Sequence, residues 1–347
     1  MTKRQAATGS IQRAAYLVLG MHRSGTSATA QLLTLAGAHL PQNPMPGDTH
    51  NAQGYFEPWK VAQLNDRRLR AGGGAWDDVF VFPHRQLPPE QDQAWIDQAR
   101  ALFVEEYGET ARPLLKEPRV TVLFPLWRTV LESLGVAMRC VIPVRHPLAV
   151  ASSLGRRDGF PVEKSLLLWS AYMLAAEAYS RDLPRCFVGY DRLLADWRGE
   201  MARIQADLGP GLPPISEAAD RVIDKALTAD LRHDDGAQDM SGYGWAGALT
   251  ETVWGWFAEA AAGAPPPPAA LEAAAAELAR RQAEVGMLIS PLTRDLDAAR
   301  SELLELKQNE TFVTDQLHRF ERIAEEAAAL RDEQAQAVAL IDSILAR

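Results

Sequence analysis

Short apolar runs alternate with longer segments of helical pattern in the part of the chain before residue 264. The apolar runs are residues 15–20, 139–144 and 185–189, and a helical pattern at residues 27–36 follows the first of them. Short buried strands that lead into helices are typical of a parallel sheet covered by helices on both faces. We therefore predict an α/β fold with a central parallel sheet. Pro143 lacks an N–H group, which indicates an edge or an irregularity in the second strand.

A run of four prolines at residues 265–268 divides the chain. Proline cannot continue a helix and favours a stiff, extended spacer. We therefore predict a main domain at residues 1–263, a proline-rich linker at residues 264–269 and a third segment at residues 270–347, which the repeat described next predicts to be a coiled-coil helix.

The helical segment carries apolar residues at a seven-residue repeat. In one series, which starts at Leu271, 10 of 11 positions are apolar, and in a second series, which starts at Ala275, 8 of 11 are apolar. Two such series on one narrow face are typical of a coiled coil. We therefore predict a coiled-coil helix at residues 270–347. Pro291 interrupts the repeat, so its reliable part starts near Leu292. The favoured interpretation is a homodimer through this helix, and the alternative is one amphipathic helix folded back on the main domain.

Charge and cysteine content limit the classes of partner. The net charge is −9, of which −6 lies in residues 270–347 and only −3 in the rest. This distribution argues against a general nucleic-acid-binding protein, although local basic clusters can still hold an anion. Cys140 and Cys186 are too few for a disulfide framework, and no apolar run is long enough to cross a membrane. We expect a cytoplasmic protein without a membrane-spanning segment.

Residues 20–27 (GMHRSGTS) have the glycine spacing of a phosphate-binding loop between the first strand and the first helix. Backbone N–H groups and a helix N-terminus attract a phosphate at such a place. The lysine that follows the second glycine in nucleoside-triphosphate loops is replaced by Thr26, and the cation lies inside the loop at Arg23. No aspartate for magnesium ends the second strand, which leads into Arg145. The sequence therefore predicts a P-loop-like sheet with an anion site that needs no metal.

A second anion-binding element follows the second strand. Arg145 begins the turn Arg-His-Pro, and Ser153 lies eight residues further on in a helical pattern. An arginine at a strand end and a hydroxyl two helical turns later can face one phosphate near the helix N-terminus. Alone, such a turn is more often structural, but together with the first loop it predicts a second phosphate site.

These motifs resemble those of the sulfotransferase family. Residues 22–27 (HRSGTS) are similar to the family's 5'-phosphosulfate loop, and residues 145–153 (RHPLAVASS) to its 3'-phosphate motif. Residues 189–194 (GYDRLL) resemble its segment near the adenine, and residues 115–118 (LKEP) the Lys-Asp-Pro segment of its glycan and tyrosylprotein branches. The four motifs stand in the family's order, and the resemblance covers about residues 15–235.

The resemblance implies a P-loop-like fold and a sulfonate donor, 3'-phosphoadenosine 5'-phosphosulfate (PAPS), bound without a metal. The residues that it assigns to the donor are Arg23, Ser24, Gly25, Thr26, Ser27, Arg145, Ser153 and Tyr190. The acceptor would be a hydroxyl group of a glycan, a lipid or a peptide, as in bacterial and Golgi-type members. Two features of the cytosolic branch are missing, since Ala28 replaces an aromatic residue that stacks on adenine, and a late glycine-rich phosphate clamp is absent. Arg232 is a candidate substitute for that clamp.

Glu57 and Lys116 are the predicted catalytic residues, together with Arg23. Sulfonate transfer requires a base for the acceptor hydroxyl and cations for the charge that develops on oxygen. Glu57 follows a loop rich in Pro, Gly and Asn, and in the glycan and peptide branches a glutamate in this region is the base; alternatively it only caps the following helix. Lys116 is predicted to stabilise the bridging oxygen, and the alternative is a salt bridge with a neighbouring acid.

Histidine is the rival base, because the cytosolic branch uses one, and His50 and His84 are the candidates. Arg119 is a weaker candidate for assisting Lys116, and Arg156 and Arg157 are placed either near the mouth of the pocket or on a solvated surface. Residues 72–74, a triplet of glycines, are interpreted as a mobile loop rather than as a further phosphate site, since no basic residue follows them.

The favoured function is therefore metal-independent transfer of sulfonate from PAPS to a hydroxyl acceptor. One alternative is a P-loop nucleotide kinase or NTPase, against which the missing lysine and magnesium carboxylate count. The other alternative is a catalytically inactive protein that acts through its coiled coil. The sequence leaves the acceptor and the direction of the coiled coil open.

Overall fold

The computed structural model describes residues 13–47, 54–209, 211–227 and 239–345, and the side chains among them except residue 308 and residues 332–345. Four strands form one sheet in the order β2-β1-β3-β4, and all neighbouring strands are parallel. The strands are β1 (Ala14–Val18), β2 (Leu114–Lys116), β3 (Ala137–Val144) and β4 (Arg185–Gly189). The predicted parallel α/β sheet is confirmed.

Twelve α-helices lie in the described part of the chain. They are α1 (Thr26–Leu35), α2 (Trp59–Ala71), α3 (Pro89–Tyr107), α4 (Phe124–Ser133), α5 (Pro147–Asp158), α6 (Val162–Ser180), α7 (Tyr190–Ala195), α8 (Trp197–Leu208), α9 (Glu217–Ala226), α10 (Gly244–Ala262), α11 (Ala269–Arg281) and α12 (Met287–Leu345).

Helices cover both faces of the sheet, because side chains of a strand point alternately to either side. In β1, Leu17 joins a core formed with α4, α6 and α10, whereas Tyr16 and Val18 join a second core formed with α1, α7 and α8. β3 follows the same alternation. Apolar residues on both faces explain why the strands read as continuous apolar runs.

The sequence pattern did not identify β2, which has only three residues and ends on a lysine. It pairs with β1 from Tyr16↔Leu114 to Val18↔Lys116. Pro143 behaves as expected of a strand proline. Pairing of β3 with β1 ends at Val141, whereas pairing with β4 continues to Val144, so Pro143 has a paired strand on one side only.

The chain forms two compact units, Met1–Arg294 and Asp295–Arg347. A helix begins after the prolines as predicted, but its first part belongs to the core of the first unit. Leu271, Ala274 and Leu278 of α11 are buried against α6 and α10. In residues 270–281 the apolar repeat therefore serves intrachain packing. The domain boundary at residues 264–269 stays a prediction.

A segment of π-helix, Gln282–Gly286, links α11 to α12. In the second unit, α12 exposes apolar side chains of both seven-residue series, among them Leu303, Leu306, Val313, Leu317 and Phe320. Such exposure of regularly spaced apolar residues agrees with the repeat in the sequence, and the coiled coil stays a prediction. Among the described helices, none is both long and apolar enough to span a bilayer.

Candidate functional site

The loop between β1 and α1 contains three residues with a left-handed backbone conformation. Gly20, Arg23 and Gly25 have positive φ angles of 141°, 67° and 91°. These angles turn the chain sharply between the end of a central strand and the N-terminus of α1, where helix N–H groups are unpaired within the helix. Gly20 is fixed from outside the loop, since its N–H donates to Oγ1 of Thr121 at 2.8 Å.

Two buried polar atoms of this loop lack a hydrogen-bond partner among the described residues. They are Oγ of Ser24, a residue with 0% exposure, and Nε2 of His22. Buried polar groups in folded proteins are almost always hydrogen-bonded, and leaving one unpaired costs about 1–3 kcal/mol. The loop therefore has unused hydrogen-bonding capacity at the place where an anion is predicted.

The second predicted phosphate motif lies against the first. Nε of Arg23 donates to Oγ of Ser153 at 2.8 Å, and Nη1 of Arg145 donates to the carbonyl oxygen of Arg23 at 3.0 Å. Ser153 lies in α5 and Arg145 directly follows β3, so the fold brings together residues more than 120 positions apart. Burial lowers the pKa of Arg23, and the nearby Arg157 and Arg145 cations lower it further. An anion bound here would relieve this repulsion between cations.

Tyr190 joins the two motifs. The guanidinium carbon of Arg145 lies 4.6 Å from the ring centre of Tyr190, a cation–π distance. The ring also lies close to Gly25, where an added Cβ would be only 2.3 Å from Cδ2 of the tyrosine. Only glycine permits this close approach together with the positive φ angle. The tyrosine of the predicted adenine segment is thus in the immediate surroundings of the loop.

Glu57 and Lys116 form a buried ion pair next to the loop. Nζ of Lys116 donates to Oε1 of Glu57, to the carbonyl oxygen of Tyr55 at 2.9 Å and to Oγ of Ser27 at 3.3 Å. The two charged residues are only 2% and 4% exposed. Both alternatives for Lys116, catalytic residue and salt bridge, involve the same pair, because its acidic partner is the predicted base.

His22 is a feature of the site that the sequence did not distinguish from the rest of the motif. Its ring is buried and packs edge-on against Trp76, with 4.8 Å between ring centres. Burial lowers its pKa well below the ordinary value, and the cations Arg119, Arg157, Lys116 and Arg23 lower it further. The imidazole is therefore neutral at ordinary pH and can donate or accept one hydrogen bond at Nε2.

The remaining candidates from the sequence are the two histidines, Arg232 and the glycine triplet. Nε2 of His84 lies 2.8 Å from Nη1 of Arg68, and burial beside this cation lowers the pKa of His84 to about 3. His84 lines a cavity of about 280 Å³ with residues 72–74 and part of the segment 282–291. His50 and Arg232 fall outside the described residues. The N–H groups of Gly72, Gly73 and Gly74 donate to carbonyl groups of α2, which leaves none for a phosphate.

The arginines near the loop differ in their environment. Arg119 is ion-paired with Asp66 and Glu117. Arg157 is ion-paired with Asp158, and its guanidinium lies 5.5 Å from the ring centre of Trp76. Arg156, in contrast, is exposed and donates to Oγ of Ser152. Arg157 thus lies near the site, whereas the hydrogen bond of the exposed Arg156 is to a residue of its own helix.

Among the described residues, no group of three or more His, Cys, Asp or Glu side chains is arranged to hold a metal ion. The charged groups that meet at the loop are instead the cations Arg23, Arg145 and Lys116 and the carboxylate of Glu57. This combination can bind an anionic group and place an acid–base group beside it.

No family model and no curated protein matches the chain. Solved structures similar to it include two sulfotransferase domains. The sulfotransferase domain from the Synechococcus PCC 7002 olefin synthase is 18% identical, with 78% of this chain and 94% of that chain covered and a TM-score of 0.40. The sulfotransferase domain from the curacin biosynthetic pathway is 14% identical, with 77% and 97% covered and a TM-score of 0.38. Both TM-scores lie below 0.5, so these similarities carry no functional argument.

Proposed function

We propose that this chain is a sulfotransferase that moves the sulfonate group of PAPS to a hydroxyl group of an acceptor. One observation carries the proposal. The two phosphate motifs, which stand far apart in the sequence, meet through Arg23, Ser153 and Arg145, and the ion pair of Lys116 and Glu57 lies beside the same loop. A donor with a phosphate at each end of its ribose requires two such anion sites near one acid–base group.

The donor would be held by residues 23–27 at its 5' end and by Arg145 and Ser153 at its 3'-phosphate, with Tyr190 near the adenine. The unpaired Oγ of Ser24 supports this assignment, because a bound phosphate or sulfonate oxygen supplies the partner that it lacks. The charge of the loop supports it too. Burial and the neighbouring arginines penalise the positive charge of Arg23, and an anion removes that penalty.

In this assignment Glu57 accepts the proton of the acceptor hydroxyl as the new sulfur–oxygen bond forms. The bond between sulfur and the bridging phosphate oxygen breaks, and Lys116 stabilises the negative charge left on that oxygen. Nζ of Lys116 reaches both Glu57 and Ser27 of the loop, so one ammonium group lies between the base and the anion site. Arg23 adds a second cation that is fixed by Ser153.

The test is incubation of the purified chain with PAPS or with ATP and magnesium, in the presence of a panel of sugar, lipid, peptide and phenol acceptors. We expect products heavier by one sulfonate, and only with PAPS. Products that carry a phosphate would instead assign the chain to the P-loop kinases. Lack of any product, combined with lack of binding of adenosine 3',5'-bisphosphate in calorimetry, would leave the coiled-coil alternative.

The exposed apolar repeat of α12 supports a further part of the proposal, self-association of two chains through residues 292–345. Leu306 and Leu317 are 59% and 56% exposed in the single chain. Regular apolar exposure of this kind is buried when two helices pair.

A further inference from the structure

A buried polar network joins the two elements that carry the proposed catalytic pair. Lys116 is the last residue of β2, and Glu57 lies two residues before the start of α2. The side chain of Glu117, which directly follows Lys116, is 0% exposed. Its Oε2 accepts from Nδ2 of Asn65 in α2 at 2.6 Å. A hydrogen bond between the residue after Lys116 and the helix after Glu57 thus spans the same gap as the ion pair.

Further contacts of the network fix the orientation of the two side chains in the hydrogen bond between Asn65 and Glu117. Oδ1 of Asn65 accepts from Nε1 of Trp127 in α4 at 2.9 Å, which fixes the amide orientation. Oε1 of Glu117 accepts from Nη1 of Arg119 at 2.6 Å. Nε of Arg119 in turn donates to Asp66, the residue after Asn65 in α2. The helix is therefore tied to the end of β2 at two consecutive residues.

We propose that Asn65 and Glu117 are positioning residues that hold Glu57 and Lys116 at the separation needed for proton transfer. The inference rests on the proposed function. Neither residue contacts Glu57, Lys116 or the loop in the interactions described, so both act through the backbone elements that they join. A carboxylate that must reach the attacking oxygen and a cation that must reach the leaving oxygen tolerate little displacement, and errors near 1 Å can cost about 100-fold in rate.

The polarity of the hydrogen bond between Asn65 and Glu117 makes a compensating exchange possible. Asn65→Asp places two carboxylates against each other. In Glu117→Gln, the new NH₂ group faces either the NH₂ group of Asn65 or the guanidinium of Arg119. In both orientations two hydrogen-bond donors face each other. In the double variant, the amide of residue 117 can donate to the carboxylate of residue 65, which still accepts from Trp127. The net charge of the network is unchanged.

The experiment measures kcat and KM of the full chain with PAPS, using an alkyl alcohol and a phenol as acceptors. We expect each single variant to lose about 10- to 100-fold in kcat with the alcohol. The loss with the phenol should be smaller, because a more acidic hydroxyl needs less help from the base. The KM for PAPS and the affinity for adenosine 3',5'-bisphosphate should change less than about twofold, a difference of about 0.4 kcal/mol. The double variant should recover most of the lost rate.

Crystal structures of the three variants give a readout that does not depend on activity. The contact between Nζ of Lys116 and Oε1 of Glu57 should be lengthened or lost in the single variants and present in the double variant.

Ser170→Ala is the control for stability, since it removes a buried hydrogen bond between Ser170 in α6 and Thr250 in α10. It should lower the melting temperature without lowering kcat.

Single variants with unchanged kcat, or a double variant no better than the weaker single one, would overturn the inference while the wild-type chain still transfers sulfonate. A wild-type chain that transfers none would overturn the proposed function and the inference together. If a single variant does not fold, Asp66→Asn replaces it, because Asp66 is half-buried and belongs to the second link, through Arg119. It should show the same selective loss with the alcohol, and an unchanged kcat would contradict the positioning role.

Discussion

Arg145 is the residue that connects the two predicted anion-binding motifs. It donates to the carbonyl oxygen of Arg23 and lies over the ring of Tyr190, although it follows β3 whereas the loop follows β1. Arg145→Ala should therefore weaken binding of adenosine 3',5'-bisphosphate by about 1.5–3 kcal/mol, the range for a hydrogen bond to a charged group. Calorimetry measures this, and Arg156→Ala, which changes an exposed arginine of α5, serves as the control. Equal affinities for wild type and Arg145→Ala would contradict the assignment of the 3'-phosphate site.

Glu57 is tested by a variant that keeps its shape. Glu57→Gln cannot take a proton, so turnover with a sugar-type alcohol should fall by about 10²–10⁴-fold while the bisphosphate still binds. A phenol acceptor should recover part of the rate. Lys116→Ala should also reduce turnover, but the phenol should not recover it, because the missing cation acts on the leaving oxygen. Equal losses with both acceptors for Glu57→Gln would exclude it as the base.

If Glu57 were excluded, a histidine would again be the candidate base. Among the described residues, His84 and His22 differ in their location. His84 has a pKa of about 3 and a hydrogen bond with Arg68, at a cavity that Lys116 does not line. His22 lies within the loop, with its pKa also lowered. A base with such a low pKa holds protons weakly, so neither histidine would give an activity profile that rises near pH 6.5, the ordinary value for histidine.

At the scale of elements, the packing of α11 shows that the first unit continues beyond the prolines. Leu278 is fully buried against the same core as α6 and α10, although it lies beyond the prolines. Leu278→Ala should lower the free energy of unfolding of the full chain by about 2–5 kcal/mol, the usual cost of a cavity in a core. Urea unfolding followed by tryptophan fluorescence measures this, with the exposed Leu288→Ala as the control. Equal stabilities of the two variants would contradict the burial of α11.

The sequence predicted the elements whose pattern is long or bounded by clear signals. The strands β1, β3 and β4 were recognised because apolar residues face both sides of the sheet, and α1 because it follows the loop. β2 was not recognised, since three residues give no periodicity. The motifs indicated the candidate site residues one by one. Their mutual contacts, above all Lys116 with Glu57 and Glu117 with Asn65, join residues more than 50 positions apart and depend on the fold.

For the whole molecule, the seven-residue repeat that first marked the C-terminal segment serves two purposes. Before Pro291, Leu271 and Leu278 pack inside the first unit. After it, the same spacing continues on a helix whose apolar residues are exposed, and pairing with a second helix would bury them. The first part of the repeat thus packs within the first unit, and the second part carries the proposal that two chains associate.

Self-association is the prediction that belongs to this scale. Leu306→Asp combined with Leu317→Asp places charges in the proposed seam without disturbing the core of the first unit, since both leucines are exposed in the single chain. Light scattering should give two chains per particle for the wild type and one for the double variant. Leu304→Asp is the matched control, because Leu304 is 58% exposed on the same helix but lies outside both apolar series. It should leave the particle at two chains. A wild-type chain that scatters as a monomer, or a control that dissociates as completely as the double variant, would contradict pairing through this seam.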